Sequence, residues 1–296
     1  MIQRIASAIL GGLLTISATP VLAGAALEAV DVELVIATDV SPSIDPEEAH
    51  LQREGIAEAF LNQQVVNAIQ SGALGKIGVA YVDFSSREYN KIVINWRVIK
   101  DKTSAAAFAE ALRKAPATLG RHTSISDALE LGQLLLEANT LEGTKRVIDV
   151  SGDGPNNWGR DVTLVRDAAV AKGIIINGLP IVDDHGGFGT IPDLDQYFIN
   201  CVIGGPAAFI IVAKGFDDFA RAIRNKLVLE ISSETPARAK NPLLMKVATS
   251  PPRGGARPPQ VESLPRQPAR PQNQAVCQNR FGGFGPFNGF DFPPQR

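Results

Sequence analysis

The stretch Glu33–Asp45 reads ELVIATDVSPSID and changes character at Asp39. The residues before it, 32–38, form an almost continuous apolar run, which is typical of a strand buried on both faces of a sheet. Asp39, Ser41 and Ser43 then follow at alternating positions. A carboxylate and two hydroxyls directly after a buried strand indicate a ligand site at the carboxyl end of that strand.

Strand-like runs alternate with helical patterns along the chain. The runs cover residues 32–38, 76–84, 91–98, 145–150, 174–182 and 207–213. This alternation predicts an α/β fold with an open, mostly parallel central sheet and helices on both faces. The third run alternates between apolar and polar residues and follows the second after a short turn, so we predict that it pairs antiparallel with it at one edge.

The helical patterns have recognisable first turns. Asp45 to Glu48 supplies an N-cap, a proline at the first helical position and a capping box, which predicts a helix that runs to about Ile69. A second N-cap signal lies near Thr123. Further helices are predicted at residues 104–114, 161–172 and 216–227.

Residues 1–23 have the features of a secretory signal peptide. They contain one charge, at Arg4, an apolar run and a Val-Leu-Ala sequence before Gly24. The apolar run is shorter than the roughly 20 residues of a transmembrane helix, and no other run in the sequence approaches that length. We therefore expect an exported protein, periplasmic or secreted, without a transmembrane segment.

Residues 234–296 differ in composition from residues 24–233. They contain 12 of the 20 prolines and nine Lys and Arg against three Asp and Glu, whereas residues 24–233 contain 19 against 28. Proline-rich segments with few large apolar residues cannot bury a core. We predict an acidic domain at 24–233 and a disordered, partly polyproline-like basic tail at 234–296.

The sequence contains two cysteines, Cys201 in the predicted domain and Cys277 in the predicted tail. In an oxidising compartment they could form a disulfide, and closing so long a loop contributes about 4 kcal/mol in the chain-entropy model. The alternative is a buried, free Cys201, and the sequence leaves both open. Two thiols alone do not form a zinc site.

Three predicted loops should meet at one end of the sheet, because ligands of open α/β sheets bind at the carboxyl ends of the strands. Asp39, Ser41 and Ser43 follow the first strand, Asp153 follows the fourth, and Thr123 opens a helix whose loop returns to that end. Two carboxylates and three hydroxyls suit a hard cation that prefers oxygen, Mg²⁺ or Mn²⁺. Such a set under-neutralises the ion and leaves a position for an oxygen from outside.

These motifs resemble those of a known family. The sequences DVSPS, TSISDAL and SGDG are similar to the Asp-x-Ser-x-Ser, Thr and Asp-Gly elements of the von Willebrand factor type A (VWFA) domain. VAYVDFSS also resembles that family's second strand, and the similarity covers about residues 32–229. Within the family, the chain is most similar to a group of exported bacterial proteins of uncharacterised function.

The resemblance implies a Rossmann-like fold with a metal-ion-dependent adhesion site (MIDAS). In such a site Ser41 and Ser43 would bind the ion directly, and Thr123 directly or through water. Asp39 and Asp153 would bind mainly through water. An Asp or Glu of a protein partner would complete the coordination shell.

Some positions depart from the family pattern. Pro42 stands where Gly is common, and Gly152 stands where the family often has Thr, although neither change removes a ligand. Asp149 lies within a strand that otherwise looks buried, so it needs a partner such as an Arg, a Lys or the water network of the site. The segment 183–206 has no counterpart that we recognise in the wider family and could shape the partner surface.

We therefore predict a binding module and not an enzyme, with two alternatives open. One is a metal-dependent envelope hydrolase, since Asp39-Val40-Ser41 resembles the Asp-x-Asp motif of aspartate-dependent phosphatases but has serine in place of the second carboxylate. The other is a structural protein that binds the envelope through its basic tail. His122 adjoins the predicted metal loop, yet no Gly-x-Ser-x-Gly motif presents a nucleophile. No glycine-rich phosphate loop follows a strand, and we expect no nucleic-acid partner.

Overall fold

The computed structural model describes residues 27–116, 118–182, 193–232 and 277. The predicted signal peptide and, apart from Cys277, the predicted tail lie outside the described residues, as do Asp183, Asp184 and His185 of the 183–206 segment. The boundaries of the signal peptide, the domain and the tail, after residues 23 and 233, therefore stay predictions. Among the residues that are described, no helix has both the length and the apolar character needed to cross a membrane.

A six-stranded sheet forms the centre of the fold, with the strand order β3-β2-β1-β4-β5-β6. The strands are β1 Glu28–Asp39, β2 Ile77–Phe84, β3 Lys91–Ile99, β4 Leu141–Gly152, β5 Ile175–Val182 and β6 Ala213–Lys214. β3 pairs antiparallel with β2 at one edge, and the remaining pairs are parallel. The prediction of a mostly parallel sheet with one antiparallel edge strand is confirmed.

Seven α-helices of the described chain cover both faces of this sheet. They are α1 Pro46–Leu61, α2 Gln63–Gln70, α3 Lys102–Lys114, α4 Ile125–Glu137, α5 Val162–Ala171, α6 Leu194–Tyr197 and α7 Phe219–Ile231. Helices α1, α2, α3 and α7 share one core cluster, whereas α4, α5 and α6 share the other. Short 3₁₀ turns at Arg87–Tyr89 and Phe216–Asp218 and a π-helical turn at Phe198–Val202 complete the architecture.

The central strand β1 contributes to both cores, which explains why its sequence is apolar at successive positions. Leu34 and Ile36 belong to the α1/α7 side, and Val35 and Ala37 belong to the α4/α5 side. All four side chains are almost fully buried. A strand buried on both faces cannot alternate with polar residues, and the sequence prediction for this strand is confirmed.

Two predicted elements have different limits in the structure. The first predicted helix breaks at Asn62, whose backbone is extended and whose side chain accepts a hydrogen bond of 2.8 Å from the backbone of Gln64 to start α2. The predicted strand at 207–213 is reduced to β6. Ala207 there has a φ of 58°, a left-handed conformation that interrupts an extended chain.

The buried Asp149 has the lysine partner that its position required. Lys226 of α7 places Nζ 2.6 Å from Oδ1 of Asp149 and 2.5 Å from Oε1 of Glu230, and all three side chains are buried. Asn177 of β5 donates a further hydrogen bond of 2.9 Å to Glu230. One ammonium therefore faces two carboxylates in a sealed position between α7 and the sheet.

The two cysteines form a disulfide, so the alternative of a free Cys201 is wrong. Cys201 is fully buried in the π-helical turn, and Cys277 packs against the same core cluster with its Cα 5.4 Å from that of Cys201. The bond spans 76 positions of sequence. The bond attaches residue 277 to the face of the sheet that α4, α5 and α6 cover. Helix α7, the last helix described before residue 277, covers the other face.

Candidate metal centre

Asp39 is the last residue of β1 and lies beside the end of β4. The parallel register pairs Thr38 with Ser151, which puts Asp39 next to Gly152. A Cβ atom at Gly152 would lie 2.9 Å from Oδ2 of Asp39, so the glycine provides the space that this carboxylate occupies. Asp39 is completely buried.

The loop after β1 folds back on itself and contacts the loop after β4. The backbone N–H of Ser41 donates to Oδ1 of Asp39 at 2.8 Å, and the hydroxyls of Ser41 and Ser43 are 3.2 Å apart. Ser43 then donates a hydrogen bond of 2.9 Å to Oδ1 of Asp153. Ser41 is buried and Ser43 is exposed, so the cluster extends from the sheet to the surface.

Thr123 approaches the cluster from the loop that precedes α4. A Cβ atom at Gly154 would lie 3.7 Å from Oγ1 of Thr123, which places this hydroxyl against the loop that carries Asp153. The backbone N–H of Thr123 donates a hydrogen bond of 2.9 Å to Oδ1 of Asn157. The backbone N–H of Asn157 donates one of 2.8 Å to the carbonyl of Thr123. The structure thus brings together all five residues that the sequence predicted for the site.

Ser85 at the end of β2 holds the Thr123 loop in place. Its hydroxyl accepts hydrogen bonds of 2.8 and 3.1 Å from the backbone N–H groups of Arg121 and His122, and its carbonyl accepts one of 2.9 Å from Ser124. Ser85 is fully buried. The sequence carries no local signal for the roles of Ser85 and Asn157, because their hydrogen-bond partners lie more than 30 positions away.

The protein groups of the site by themselves disfavour its negative charges. Burial, together with the negative charge of Asp153, raises the pKa of Asp39 well above its ordinary value, although hydrogen bonds from Ser41 oppose the shift. Burial also raises the pKa of Asp153, and the hydrogen bond from Ser43 opposes that shift. A cation between these two carboxylates would reverse both effects, because an adjacent positive charge stabilises an ionised carboxylate.

The chemistry of the site fits a hard divalent cation. Oδ2 of Asp39 is buried without a hydrogen-bond partner, and a buried carboxylate oxygen without a donor is costly unless a cation binds it. In the part of the chain that the structure describes, no three His, Cys, Asp or Glu side chains form a metal-binding group. The candidate centre therefore depends on its serine and threonine hydroxyls, which are oxygen ligands of the kind that Mg²⁺ and Mn²⁺ accept.

An aromatic pair borders this centre. The rings of His122 and Trp158 stack with their centroids 4.2 Å apart and their planes within 7°. These residues directly adjoin Thr123 and Asn157, so the stack lies beside the Thr123 loop. His122 is partly buried as one member of this stack.

Residues 29–235 match the sequence profile of a family described as "Protein of unknown function (DUF1194)". Among proteins with curated descriptions, none matches the sequence significantly. The pilus adhesin SpaC from Lactobacillus rhamnosus GG superposes with a TM-score of 0.50 at 15% identity, covering 70% of this chain and 32% of that chain.

Two further structures superpose with TM-scores of 0.49. One is a von Willebrand factor type A structure from Catenulispora acidiphila, with 14% identity over 69% of this chain and 43% of that chain. The other is proximal thread matrix protein 1 from the mussel byssus with a zinc-occupied MIDAS motif, with 19% identity over 69% of this chain and 47% of that chain. This chain thus spans about a third to a half of the length of these structures. The likeness to these structures concerns the fold, and the predicted fold class is confirmed by the sheet itself, which is mostly parallel with one antiparallel edge strand.

Proposed function

This chain belongs to the family described as "Protein of unknown function (DUF1194)", and we propose that it is a metal-dependent protein-binding module. In this proposal, a Mg²⁺- or Mn²⁺-type ion held by Asp39, Ser41, Ser43, Thr123 and Asp153 binds an acidic residue of a protein partner. The module acts outside the cytoplasm, in the periplasm or after secretion, as the signal-peptide pattern of residues 1–23 indicates.

One observation carries the proposal. Asp39 keeps a carboxylate oxygen fully buried and unpartnered, directly beside a second acidic residue, Asp153, whose charge raises the pKa of Asp39. Keeping both carboxylates of such a pair ionised in the folded protein is unfavourable unless a cation neutralises them. The hydroxyls of Ser41 and Ser43 lie next to the same carboxylates, where they add neutral oxygen ligands.

The shape of the site supports binding of a ligand from outside. Ser43 is exposed whereas Asp39 and Ser41 are buried, so the cluster opens to solvent on the Ser43 side. Two carboxylates and three hydroxyls do not fill the coordination sphere of a divalent ion, which binds six oxygens in the case of Mg²⁺. The ion would supply Lewis-acid attraction for a partner carboxylate, and the protein residues hold and orient that position.

We propose binding without catalysis. A hydrolase would need a general acid or a nucleophile that faces the ion. The second position of the phosphatase-like motif is Ser41, whose backbone and hydroxyl are engaged with Asp39 and Ser43. His122, the histidine next to the site in sequence, stacks on Trp158.

Calorimetry and thermal unfolding test this function. Mg²⁺ should bind the full chain and raise its unfolding temperature relative to chelator, because a ligand at 100 times its dissociation constant stabilises the native state by about 2.7 kcal/mol. The double variant Ser41→Ala with Ser43→Ala should remove this shift and leave the metal-free unfolding temperature nearly unchanged. Recovery of a protein partner from envelope extract should then require Mg²⁺ and the intact site. Absence of a thermal shift at millimolar Mg²⁺ or Mn²⁺ would refute the proposal.

A further inference from the structure

An exposed tryptophan lies beside the candidate metal centre. Trp158 belongs to the loop after β4, and its ring stacks on that of His122, which directly precedes Thr123. One face of the indole ring is covered in this way, yet 49% of the surface of Trp158 remains exposed. For a tryptophan this is roughly 100 Å² of mostly apolar surface, which is typical of a contact site for another molecule.

The loop around Trp158 is tied into a closed turn by the buried side chain of Asn156. Its Oδ1 accepts a hydrogen bond of 2.9 Å from the backbone of Ser126 in α4, and its Nδ2 donates one of 3.1 Å to the carbonyl of Arg160. Arg160 in turn pairs with Glu130 of α4 at 2.8 Å. The turn is thus attached to α4 on both sides of the tryptophan.

Gly159 allows this turn to pack closely against the start of α4. Its φ is 80°, and a Cβ atom there would lie 2.5 Å from Oγ of Ser124 and 2.7 Å from Oγ of Ser126. Only glycine combines this conformation with so close a contact. A turn that is fixed in the free protein loses little conformational freedom on binding, so Trp158 is a pre-organised contact of the kind that dominates binding energy at protein interfaces.

The buried polar side chains next to this turn are used within the fold. Ser124 donates a hydrogen bond of 2.8 Å to Oδ2 of Asp127, and both polar atoms of the Asn156 amide have partners. They leave no donor or acceptor for the hydroxyl groups of a sugar stacked on the indole ring. An apolar ligand group needs no such partners, so the exposed part of Trp158 favours a hydrocarbon or aromatic side chain.

The charges around the metal centre restrict the ligand further. Arg121, two residues before Thr123, is exposed, and its guanidinium forms no ion pair with the described residues. Together with a bound ion it repels a cationic side chain, although cations can stack on tryptophan. At the start of α1, Asp45 and Glu47 are exposed and repel a second negative charge. A single carboxylate with an uncharged aromatic neighbour therefore fits the surroundings best.

We propose that the metal centre recognises a protein segment in which the acidic residue bound by the ion is adjacent to an aromatic residue, and that Trp158 is the specificity-determining contact for that aromatic ring. The inference rests on the proposed function, because the acidic residue is the one that the ion binds. Trp158 directly follows Asn157, the hydrogen-bond partner of Thr123, so the neighbour of the acidic residue reaches it. Packing of the two rings provides the preference.

The test uses blocked peptides with the sequences Gly-Asp-Phe-Gly and Gly-Phe-Asp-Gly, so that both chain directions are covered, and the same pair with Ala in place of Phe. Ligand-observed NMR titration measures their affinity for the full chain with Mg²⁺ and with chelator. In the presence of Mg²⁺, the tighter Phe peptide should bind about fivefold more tightly than its Ala counterpart, which is the equivalent of about 1 kcal/mol. Chelator should abolish the binding of all peptides.

Variants identify the residue that gives the preference. Trp158→Ala should make the affinities for the Phe and Ala peptides equal, whereas Mg²⁺ binding by calorimetry should remain as in the wild type. Trp158→Tyr should keep part of the preference, because a phenol ring also stacks. Arg121→Gln should weaken all peptides by the same factor, since it removes charge and no ring contact. Leu134→Ala, which removes another large side chain of α4 that is 60% exposed, is the matched control and should change nothing.

The outcomes separate this inference from the proposed function. Magnesium-dependent binding with equal affinities for the Phe and Ala peptides, or a preference for Phe that persists in Trp158→Ala, would overturn the role of Trp158 and leave the proposed function standing. Mg²⁺ binding without binding of any peptide would overturn the inference together with the acidic partner, and no Mg²⁺ binding would overturn the metal site as well.

An acidic sugar provides the remaining comparison. Glucuronate carries one carboxylate on a ring that can stack on tryptophan, so it is titrated under the same conditions as the peptides. It should bind more weakly than the tighter Phe peptide. Tighter binding of glucuronate that is lost in Trp158→Ala would overturn the protein segment in favour of an acidic glycan.

Discussion

Gly152 at the end of β4 packs directly against the carboxylate of Asp39 at the end of β1. A Cβ atom at position 152 would lie 2.9 Å from Oδ2 and 3.1 Å from Cβ of Asp39. The neighbouring glycine of the same loop, Gly154, has more room, since its nearest contact would be Oγ1 of Thr123 at 3.7 Å. These two glycines therefore provide a matched pair for testing how the site depends on the position of Asp39.

We predict that Gly152→Ala weakens Mg²⁺ binding at least tenfold, whereas Gly154→Ala changes it little. The added methyl group at 152 must displace the Asp39 carboxylate, and a displaced ligand costs more than the roughly 1.4 kcal/mol that corresponds to tenfold affinity. Calorimetric titration of both variants with Mg²⁺ measures the difference. Equal affinities of the two variants would contradict the placement of Asp39 in the site.

Asp39→Asn should separate the metal requirement from the fold. The amide retains an oxygen that can accept the 2.8 Å hydrogen bond from Ser41, and it removes a buried negative charge beside Asp153. In chelator at pH 8 the variant should therefore be at least as stable as the wild type. The increase of about 2.7 kcal/mol that Mg²⁺ gives at 100 times its dissociation constant should be absent. Denaturant unfolding with and without Mg²⁺ measures both quantities. A variant that keeps the increase would argue against Asp39 as part of the site.

The buried group of Lys226, Asp149 and Glu230 predicts a pH-dependent stability. Burial and repulsion from Glu230, opposed by Lys226, raise the pKa of Asp149 to about 8 from an ordinary value of 3.8. Between these pH values the folded protein binds a proton on Asp149 that the unfolded chain has lost. The free energy of unfolding should thus fall as pH rises from 4 to 8, by up to about 1.4 kcal/mol per pH unit.

Asp149→Asn should flatten this slope, because the amide carries no titrating proton. Glu58→Gln, which alters an exposed carboxylate of α1, serves as the control and should keep it. Denaturant unfolding in chelator at several pH values between 5 and 9 measures the slopes. A slope that is the same in Asp149→Asn and in the wild type would show that Asp149 is ionised throughout this range.

The disulfide predicts a stability that depends on redox conditions. Replacing both Cys201 and Cys277 by serine should lower the free energy of unfolding by about 4 kcal/mol in the chain-entropy model, because the unfolded chain regains the freedom of a loop spanning 76 positions. The wild type should show the same loss after reduction under native conditions. Intact mass with and without reductant reports the bond, and a wild type with two alkylatable thiols before reduction would contradict it.

The local sequence determined the parts of the fold that depend on neighbouring residues. The apolar run of β1 reflects burial on both faces, and Asp45 with Glu48 forms the capping box that starts α1. The order of strands and helices limited the sheet to a mostly parallel arrangement, because strands separated by helices pair in that way. That arrangement predicts that the five site residues lie together at the carboxyl ends of the strands.

The tertiary structure decided the contacts between residues that are distant in sequence. Ser85 anchors the Thr123 loop across 36 and 37 positions, and Lys226 reaches Asp149 across the interface between α7 and the sheet. The sequence left the pairing of Cys201 open, because a disulfide requires two Cα atoms within about 7 Å and spacing along the chain does not fix that distance. Packing geometry selects such pairs, whereas local patterns specify only the elements that carry them.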